Sequence, residues 1–97
     1  MARIQPVEVN GIEWLLGAGN YVELHVNGQT VLHREPLRSL EQRLDPTEFV
    51  RIHRSVIVRR NCVREIRAIG HGYHLVVCAE RSFRVGRKYR AALAQLR

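Results

Sequence analysis

A mainly β fold with antiparallel pairing is predicted by two features of this 97-residue sequence. Most of the chain either alternates apolar and polar residues or runs through β-branched ones, and both patterns are typical of strands. Turn signals such as Asn10-Gly11, Asn27-Gly28 and Gly70-His71-Gly72 recur at short spacing, as they do in antiparallel sheets. The length and a hydrophobic content of 45% predict one folded domain over residues 1–97.

The N-terminal third is expected to hold two pairs of short strands. Strands are predicted over residues 7–9, 12–16, 21–26 and 30–33. The Asn10-Gly11 step separates the first two, and the run 17–20 (GAGN) breaks the chain before the third. Asn27-Gly28 can supply the two positive φ angles of a tight turn, so residues 21–33 are expected to form a β-hairpin.

A short amphipathic helix is predicted over residues 37–44, because Leu37, Leu40 and Leu44 fall on one helical face. Pro36 suits the start of a helix, and Asp45-Pro46 would end it. We interpret so short a leucine stripe as core packing. Further strands are predicted over residues 50–52, 56–58, 63–69, 73–78 and 83–85, and a final helical stripe is formed by Tyr89, Leu93 and Leu96.

Charge is divided unevenly along the chain. The formal net charge of +7 combines −3 over residues 1–50 with +10 over residues 51–97, where twelve of the sixteen Lys and Arg residues lie. Such a basic half is expected to bind a polyanion, because Lys and Arg gain affinity by releasing counterions from phosphates, and Arg can also read guanine edges. A solvated charged face is the alternative interpretation.

Three basic clusters are candidates for that contact: His53-Arg54, Arg59-Arg60 and Gly86-Arg87-Lys88. The first lies between two apolar strands, so a turn would hold both side chains outward with little backbone freedom. The second follows the next strand, where such a pair is expected to position a phosphate backbone. The third lies where a strand is expected to become a helix, whose first amides attract anions.

Other classes of protein find little support in the sequence. The five histidines lack the spacing of metal-binding motifs, so no metal or cofactor is expected. No third group completes a triad with Ser55 and His53, and there is no Gly-rich phosphate loop, so no enzymatic activity is expected. No apolar stretch approaches the roughly 18 residues of a membrane span, so a cytoplasmic protein is expected.

The two cysteines, Cys62 and Cys78, both have apolar neighbours in the sequence. Two cysteines do not make a disulfide-rich secreted scaffold. We expect both to be buried free thiols that serve as small hydrophobic side chains.

Four segments match a known family in the same order along the chain. They are residues 16–22 (LGAGNYV), the leucine stripe of residues 37–44, residues 49–58 (FVRIHRSVIV) and residues 85–89 (VGRKY). Together they resemble the first strand break, the short helix, the signature segment and the closing motif of the LytTR DNA-binding domain. That domain is the output domain of many bacterial response regulators, and residues 49–58 are the most specific part of the match.

The resemblance implies an elongated fold of small, mostly antiparallel sheets with one or two short helices. Loops, rather than a recognition helix, would enter successive major grooves of double-stranded DNA. Contacts to bases or to the DNA backbone would come from Asn20, Tyr21, His53, Arg54, Arg87 and Lys88. Family members typically bind direct repeats as paired copies and can bend the DNA, so deformability would add to specificity.

The chain departs from the family pattern in a few places. Arg59-Arg60 stands where the family often has Asn-Leu, and this adds charge after the signature segment. Ala79-Glu80-Arg81 replaces the usual hairpin glycine, and Gly86 replaces a common serine. The 97 residues contain no phosphorylatable receiver, so both an excised output domain and a stand-alone DNA binder agree with the sequence.

Two rival functions stay open at this point, an RNA-binding β domain and a signalling module whose sheet edges pair with a partner protein. Readers of single-stranded RNA stack bases on aromatic platforms, whereas the aromatic residues here are scattered among core-type neighbours. A protein interface would lose far less affinity with added salt than a phosphate-contact surface.

Overall fold

The computed structural model describes residues 9–97, which form two antiparallel sheets. The strands are β1 (Ile12–Ala18), β2 (Tyr21–Val26), β3 (Gln29–His33), β4 (Phe49–His53), β5 (Val56–Arg59), β6 (Val63–Gly70), β7 (Tyr73–Cys78) and β8 (Arg81–Arg84). The first sheet has the order β3-β2-β1-β5-β4 and the second the order β6-β7-β8. The described part measures 47 × 23 × 22 Å, so the predicted fold, mainly β and elongated, is confirmed.

Helical elements are short. The α-helices are α1 (Leu37–Glu41) and α2 (Ala92–Leu96), and single 3-10 turns occupy Val9–Gly11, Arg60–Cys62 and Arg87–Tyr89. None of the helices in residues 9–97 is long and apolar enough to cross a membrane.

The five-stranded sheet packs on both of its faces. On one face a buried cluster lies against α1 and consists of Ile12, Leu15, Val22, Leu24, Leu37, Phe49 and Ile57. On the other face, Trp14, Val56 and Val58 pack against the second sheet and α2. Successive residues of a strand point to opposite faces, which is why Ile57 and Val58 belong to different clusters.

The β2–β3 hairpin confirms the most local of the sequence predictions. Val26 is paired with Gln29, so Asn27 and Gly28 form a two-residue turn. Their φ angles are 50° and 81°, the left-handed pair that a type I′ turn requires.

The strand break expected at residues 17–20 is wrong for its first half, because β1 runs through Gly17 to Ala18. A Cβ atom on Gly17 would lie 2.9 Å from the Cβ of Leu37. This glycine therefore allows α1 to pack closely on the strand rather than ending it. The turn itself is made at Gly19, whose φ is +63°.

Other element boundaries also differ from the predictions, and three of them are informative. The helix expected over residues 37–44 ends at Glu41 and continues to Leu44 only as hydrogen-bonded turns onto the carbonyls of Leu40 and Glu41. β8 begins at Arg81 rather than at residue 83, because Ala79 adopts a φ of 53° and closes the turn early. The strand expected over residues 7–9 lies mostly outside the described residues, and Val9 belongs to a 3-10 turn.

The two cysteines are free and differ in burial, so the expectation of two buried thiols is only partly met. Cys78 is 0% exposed, and burial raises the pKa of its thiol to about 12. Cys62 is half-buried because it lies in a 3-10 turn at the edge of the cluster rather than inside a strand. Burial also raises the pKa of the Cys62 thiol.

Candidate nucleic-acid interface

One end of the five-stranded sheet collects two of its turns and the segment that follows β8. The backbone N–H of Gly17 donates to the carbonyl of Ser55 at 2.8 Å, so the β1–β2 and β4–β5 turns are neighbours. The backbone N–H of Gly86 donates to the carbonyl of Ile52, also at 2.8 Å. The residues after β8 therefore lie beside the β4–β5 turn.

The β4–β5 turn carries His53 and Arg54. His53 is paired with Val56, which leaves Arg54 and Ser55 as the two turn residues. Two-residue hairpin turns favour positive φ angles, yet neither of these residues has one. The pairing register also shifts between Arg51 and His53. Such a turn does not match the twist of its strands and needs support from side chains.

Two side chains supply that support. The imidazole of His53 accepts the backbone N–H of Ser55 at its Nδ1 atom, at 3.1 Å. The ring proton then sits on Nε2, which leaves that atom as a hydrogen-bond donor. The guanidinium of Arg51 donates from Nε to the carbonyl of His53 at 2.8 Å and from Nη2 to the carbonyl of Arg54.

The segment after β8 packs directly on this turn. A Cβ atom on Gly86 would lie 3.3 Å from Cδ2 of His53 and 3.1 Å from Cδ2 of Tyr89, so the position leaves little room for a larger residue. Arg87 and Lys88 follow as exposed residues of a 3-10 turn. The expectation of a helix N-terminus here is wrong, since α2 begins only at Ala92.

The turn and this segment together form an open depression of about 350 Å³. Its lining consists of His53, Arg54, Gly86, Arg87, Lys88 and Tyr89. Two candidate clusters that are more than 30 residues apart in the sequence thus share one surface. Backbone pairing between the sheet and the segment after β8 is the reason, because it fixes the distance between the two.

Asn20 lies in the neighbouring β1–β2 turn, and Tyr21 is the first residue of β2. Both are exposed, and Ala18 is paired with Tyr21 across the turn. The turn begins at Gly19, roughly 7 Å beyond Gly17 along the strand direction, at about 3.3 Å per residue. The structure therefore places this pair at the same end of the sheet as the depression, outside its lining.

Arg59 and Arg60 lie at the other end of the β4–β5 hairpin, where Arg59 is paired with Phe49. The guanidinium of Arg59 bonds to Glu48 and to the carbonyls of Ile12 and Val9, and only 11% of its side chain is exposed. This geometry assigns the Arg59 guanidinium to the fold and does not favour the expected contact with a phosphate backbone.

Arg60 is exposed but also bonded within the chain. Its Nε atom donates to the carbonyl of Gln95 at 2.7 Å, and its Nη1 atom to the carbonyl of Thr47 at 3.4 Å. These bonds tie α2 to the loop before β4. Neither residue of the Arg59-Arg60 cluster joins the depression.

The candidate cations of the depression are free of ion pairs, a property that they share with other exposed arginines of the described residues, such as Arg34 and Arg38. Among residues 9–97, Arg54, Arg87 and Lys88 form no ion pair, whereas four other arginines each pair with a glutamate. An unpaired, exposed guanidinium keeps all its donors for a ligand, and its planar fork matches phosphate oxygens or the O6 and N7 atoms of guanine. The depression is therefore the candidate site for a nucleic acid.

Two contributors to the site were quoted in the sequence motifs but received no role there. Arg51 braces the turn, and Tyr89 lines the depression. The signal for Arg51 was present, because it is a charged residue in an apolar strand, in register with the buried Ile57. Its partners belong to other elements and could not be read from the sequence.

The fold and the site define a class of protein: a small β domain whose exposed candidate cations lie on turns rather than on a recognition helix. Comparison with known proteins agrees, since the family described as the LytTr DNA-binding domain matches residues 2–97. The chain belongs to this family, and the resemblance drawn from its sequence motifs is confirmed. It is thus a DNA-binding domain of the kind found in transcription regulators.

Individual relatives support the same assignment. The transcriptional regulatory protein LytR of Staphylococcus aureus is 31% identical over 94 residues, which cover 87% of this chain and 38% of that protein. The CO-responsive transcriptional regulator RcoM of Rhodospirillum rubrum is 37% identical over 71 residues, which cover 73% of this chain and 30% of that protein. The chain therefore spans less than half the length of either relative.

A solved structure shows the fold independently. The LytTr DNA-binding domain of a Bacillus cereus protein superposes with a TM-score of 0.83 over 95% of this chain and 85% of that one. The sequence identity is 24%, so this likeness concerns the fold alone.

Proposed function

We propose that this chain is the output domain of a bacterial transcription regulator that binds double-stranded DNA at specific sites. The observation that carries the proposal is the depression that Arg54 and Arg87 both line, each of them exposed and without an ion pair among the described residues. A surface that carries two free guanidinium groups on neighbouring segments favours a ligand with a regular series of bases and phosphates.

Each side chain has a proposed role. Arg54 and Arg87 donate bidentately to guanine O6 and N7 in the major groove. His53 donates a single bond from Nε2, which is a weaker selector because imidazole is not a fork. Lys88 contacts phosphate, and Asn20 and Tyr21 contact the neighbouring stretch of DNA. Arg59 and Arg60 are left out of this surface because their donors are used within the fold.

The arrangement on DNA is proposed as two copies on a direct repeat, with some bending of the duplex. The support is the family resemblance, together with a described length of 47 Å, which matches about 14 base pairs at ~3.4 Å each. We further propose that the same polypeptide carries a receiver or another sensory domain. The protein is proposed to be cytoplasmic.

Selection of bound sites from random duplex DNA tests the proposal. The expected result is an enriched motif that contains guanines and occurs twice in the same orientation. Separating the two copies by five additional base pairs, about half a helical turn, should weaken the paired binding strongly. Enrichment of no motif, or equal binding to every duplex, would contradict sequence-specific binding.

The RNA-binding alternative is less well supported. In residues 9–97 Tyr21 is the one aromatic side chain that is strongly exposed, at 42%, whereas Trp14, Phe49 and Phe83 are buried. A stacking platform needs several exposed rings on one surface. Competition between duplex DNA and single-stranded RNA of the same sequence separates the two functions.

A further inference from the structure

We propose that Arg51 is a positioning residue for DNA recognition, which holds the β4–β5 turn and the segment after β8 at a fixed spacing. This inference rests on the proposed function but assigns no DNA contact to Arg51 itself. The residue acts through Arg54 and Arg87, and its own guanidinium is turned into the protein, with 15% of the side chain exposed.

Four groups from three segments of the chain surround the Arg51 guanidinium. Two of its nitrogens donate to the consecutive carbonyls of His53 and Arg54, and Nη1 donates to the carboxylate of Glu41 at 2.7 Å. The ring of Tyr89 lies 5.8 Å away, in the range of a cation–π interaction. One side chain thus contacts the turn, helix α1 and the segment that carries Arg87.

The turn depends on these bonds for its shape. Arg54 and Ser55 have no positive φ angle, so the turn lacks the twist that usually stabilises a two-residue hairpin. The carbonyls of His53 and Arg54 converge on the same guanidinium and are thereby oriented. Lysine at position 51 keeps the charge but has no planar fork, so it cannot hold both carbonyls and Glu41 together.

The same hairpin contains a matched control. Arg59, at its opposite end, bonds to Glu48 at 3.3 Å and to two backbone carbonyls, and its guanidinium lies 4.4 Å above the ring of Phe49. It is as strongly shielded as Arg51, with 11% exposure, but it is remote from the depression. Arg51→Lys and Arg59→Lys therefore perturb equivalent interactions at the two ends of one hairpin.

The first experiment needs no DNA. Amide hydrogen exchange is measured by NMR for Ser55 and Gly86, whose backbone N–H groups bond to His53 and Ile52. Arg51→Lys is expected to accelerate exchange at these two amides about tenfold, as the loss of charged hydrogen bonds would, whereas Arg59→Lys leaves them unchanged. Unchanged exchange in Arg51→Lys would overturn the proposal whether or not the protein binds DNA.

The second experiment measures binding to a selected duplex and to a scrambled duplex at one salt concentration. Arg51→Lys is expected to weaken the selected duplex about tenfold and the scrambled one less than twofold, because charge is retained and alignment is lost. Arg59→Lys should change neither once the protein is folded. Equal weakening of both duplexes by Arg51→Lys would show a direct phosphate contact and contradict the positioning role.

A double-mutant cycle tests whether Arg51 acts through Arg54. If it does, Arg51→Lys should cost clearly less affinity in an Arg54→Ala background than alone. Full additivity would refute that coupling. If a lysine variant does not fold, the same comparison can be made with milder changes. Glu41→Gln weakens the ion pair of Arg51, and Glu48→Gln weakens that of Arg59. If the wild-type protein bound the selected and the scrambled duplex equally well, the proposed function would be contradicted. The hydrogen-exchange experiment would still test whether Arg51 positions the turn and the segment after β8.

Discussion

Individual residues of the depression differ in what they can recognise. Arg54 and Arg87 combine exposure, a position in the lining of the depression and guanidinium donors without an ion pair among the described residues. A planar fork discriminates between bases, whereas the ammonium of Lys88 is a point charge that suits phosphate. Specificity is therefore expected to depend on the two arginines more than on total charge.

Arg54→Ala and Arg87→Ala are each expected to cost about 1–3 kcal/mol of binding free energy on the selected duplex and to relax the base preference at one position. His53→Ala should act in the same direction but more weakly. Site selection repeated on each variant measures both effects.

The matched control for these two changes is Arg64→Ala, which removes one exposed positive charge at the far end of the second sheet, near Ala79. It should leave base preference and affinity nearly unchanged. If Arg54→Ala or Arg87→Ala weakened every duplex equally, those side chains would contact phosphate, and specificity would have to reside in the Asn20-Tyr21 turn or in DNA shape.

The raised pKa of the Cys78 thiol predicts that the free energy of unfolding depends on pH in the alkaline range. Burial, followed by smaller effects of Cys62 and Glu13, raises the pKa of its thiol from an ordinary value of 9.0 to about 12. The unfolded protein then loses this proton before the folded protein does. The contribution to stability is complete below about pH 9 and is lost as the pH rises towards 12.

Chemical unfolding at several alkaline pH values measures this effect. In Cys78→Val the decline of the unfolding free energy between about pH 9 and 12 should be shallower than in the wild type, and Cys62→Val serves as the control at the half-buried position. At neutral pH a polar alkylating reagent should modify Cys62 before Cys78. Identical alkaline profiles for Cys78→Val and the wild type would rule out the burial effect.

At the scale of the elements, the β4–β5 hairpin has an arginine at each end with a different task. The end near the depression is held by Arg51, and the opposite end by Arg59. Arg60 lies beside Arg59 and also stabilises the fold, because its side chain bonds to both α2 and the loop before β4. Local charge density thus says little about which cations face a ligand.

Arg60→Ala is expected to lower the free energy of unfolding by about 0.5–1.5 kcal/mol, through the loss of its bond to the carbonyl of Gln95, and to leave duplex affinity unchanged. Arg97→Ala removes a nearby exposed charge and is the control for electrostatics alone. Unaltered stability together with weaker binding to all duplexes would instead support a contact between Arg60 and the DNA backbone, as the sequence first indicated.

At the scale of the whole molecule, the number of phosphates that the protein neutralises governs the sensitivity of binding to salt. Each phosphate that is neutralised releases counterions, so log K should fall linearly with log salt at a slope of about −0.9 per phosphate, with about five phosphates contacted. Titrations of one duplex at four or more salt concentrations give the slope. Lys88→Ala should reduce its magnitude by about 1, while Arg64→Ala should not. A slope near zero would exclude a phosphate-contact surface.

Much of the fold was accessible from the sequence because its signals are local. The Asn27-Gly28 pair between two strands is a strong local signal for a hairpin, and the apolar run of residues 75–78 agrees with β7. Gly17 was misinterpreted for the complementary reason. A glycine that ends a strand and a glycine that admits a helix look alike until the position of Leu37 is known.

Some features of the candidate site could likewise be predicted from local sequence signals, whereas others depend on tertiary contacts. The sequence by itself determined the fold class, the family and the identity of the exposed cations in the turns, since these depend on short motifs and on charge. Only the tertiary structure decided that Arg54 and Arg87 share one depression, that Arg59 is enclosed, and that Arg51 spans three elements. Those facts depend on partners distant in the chain, and the packing of the elements alone determines which donors are satisfied and which stay free.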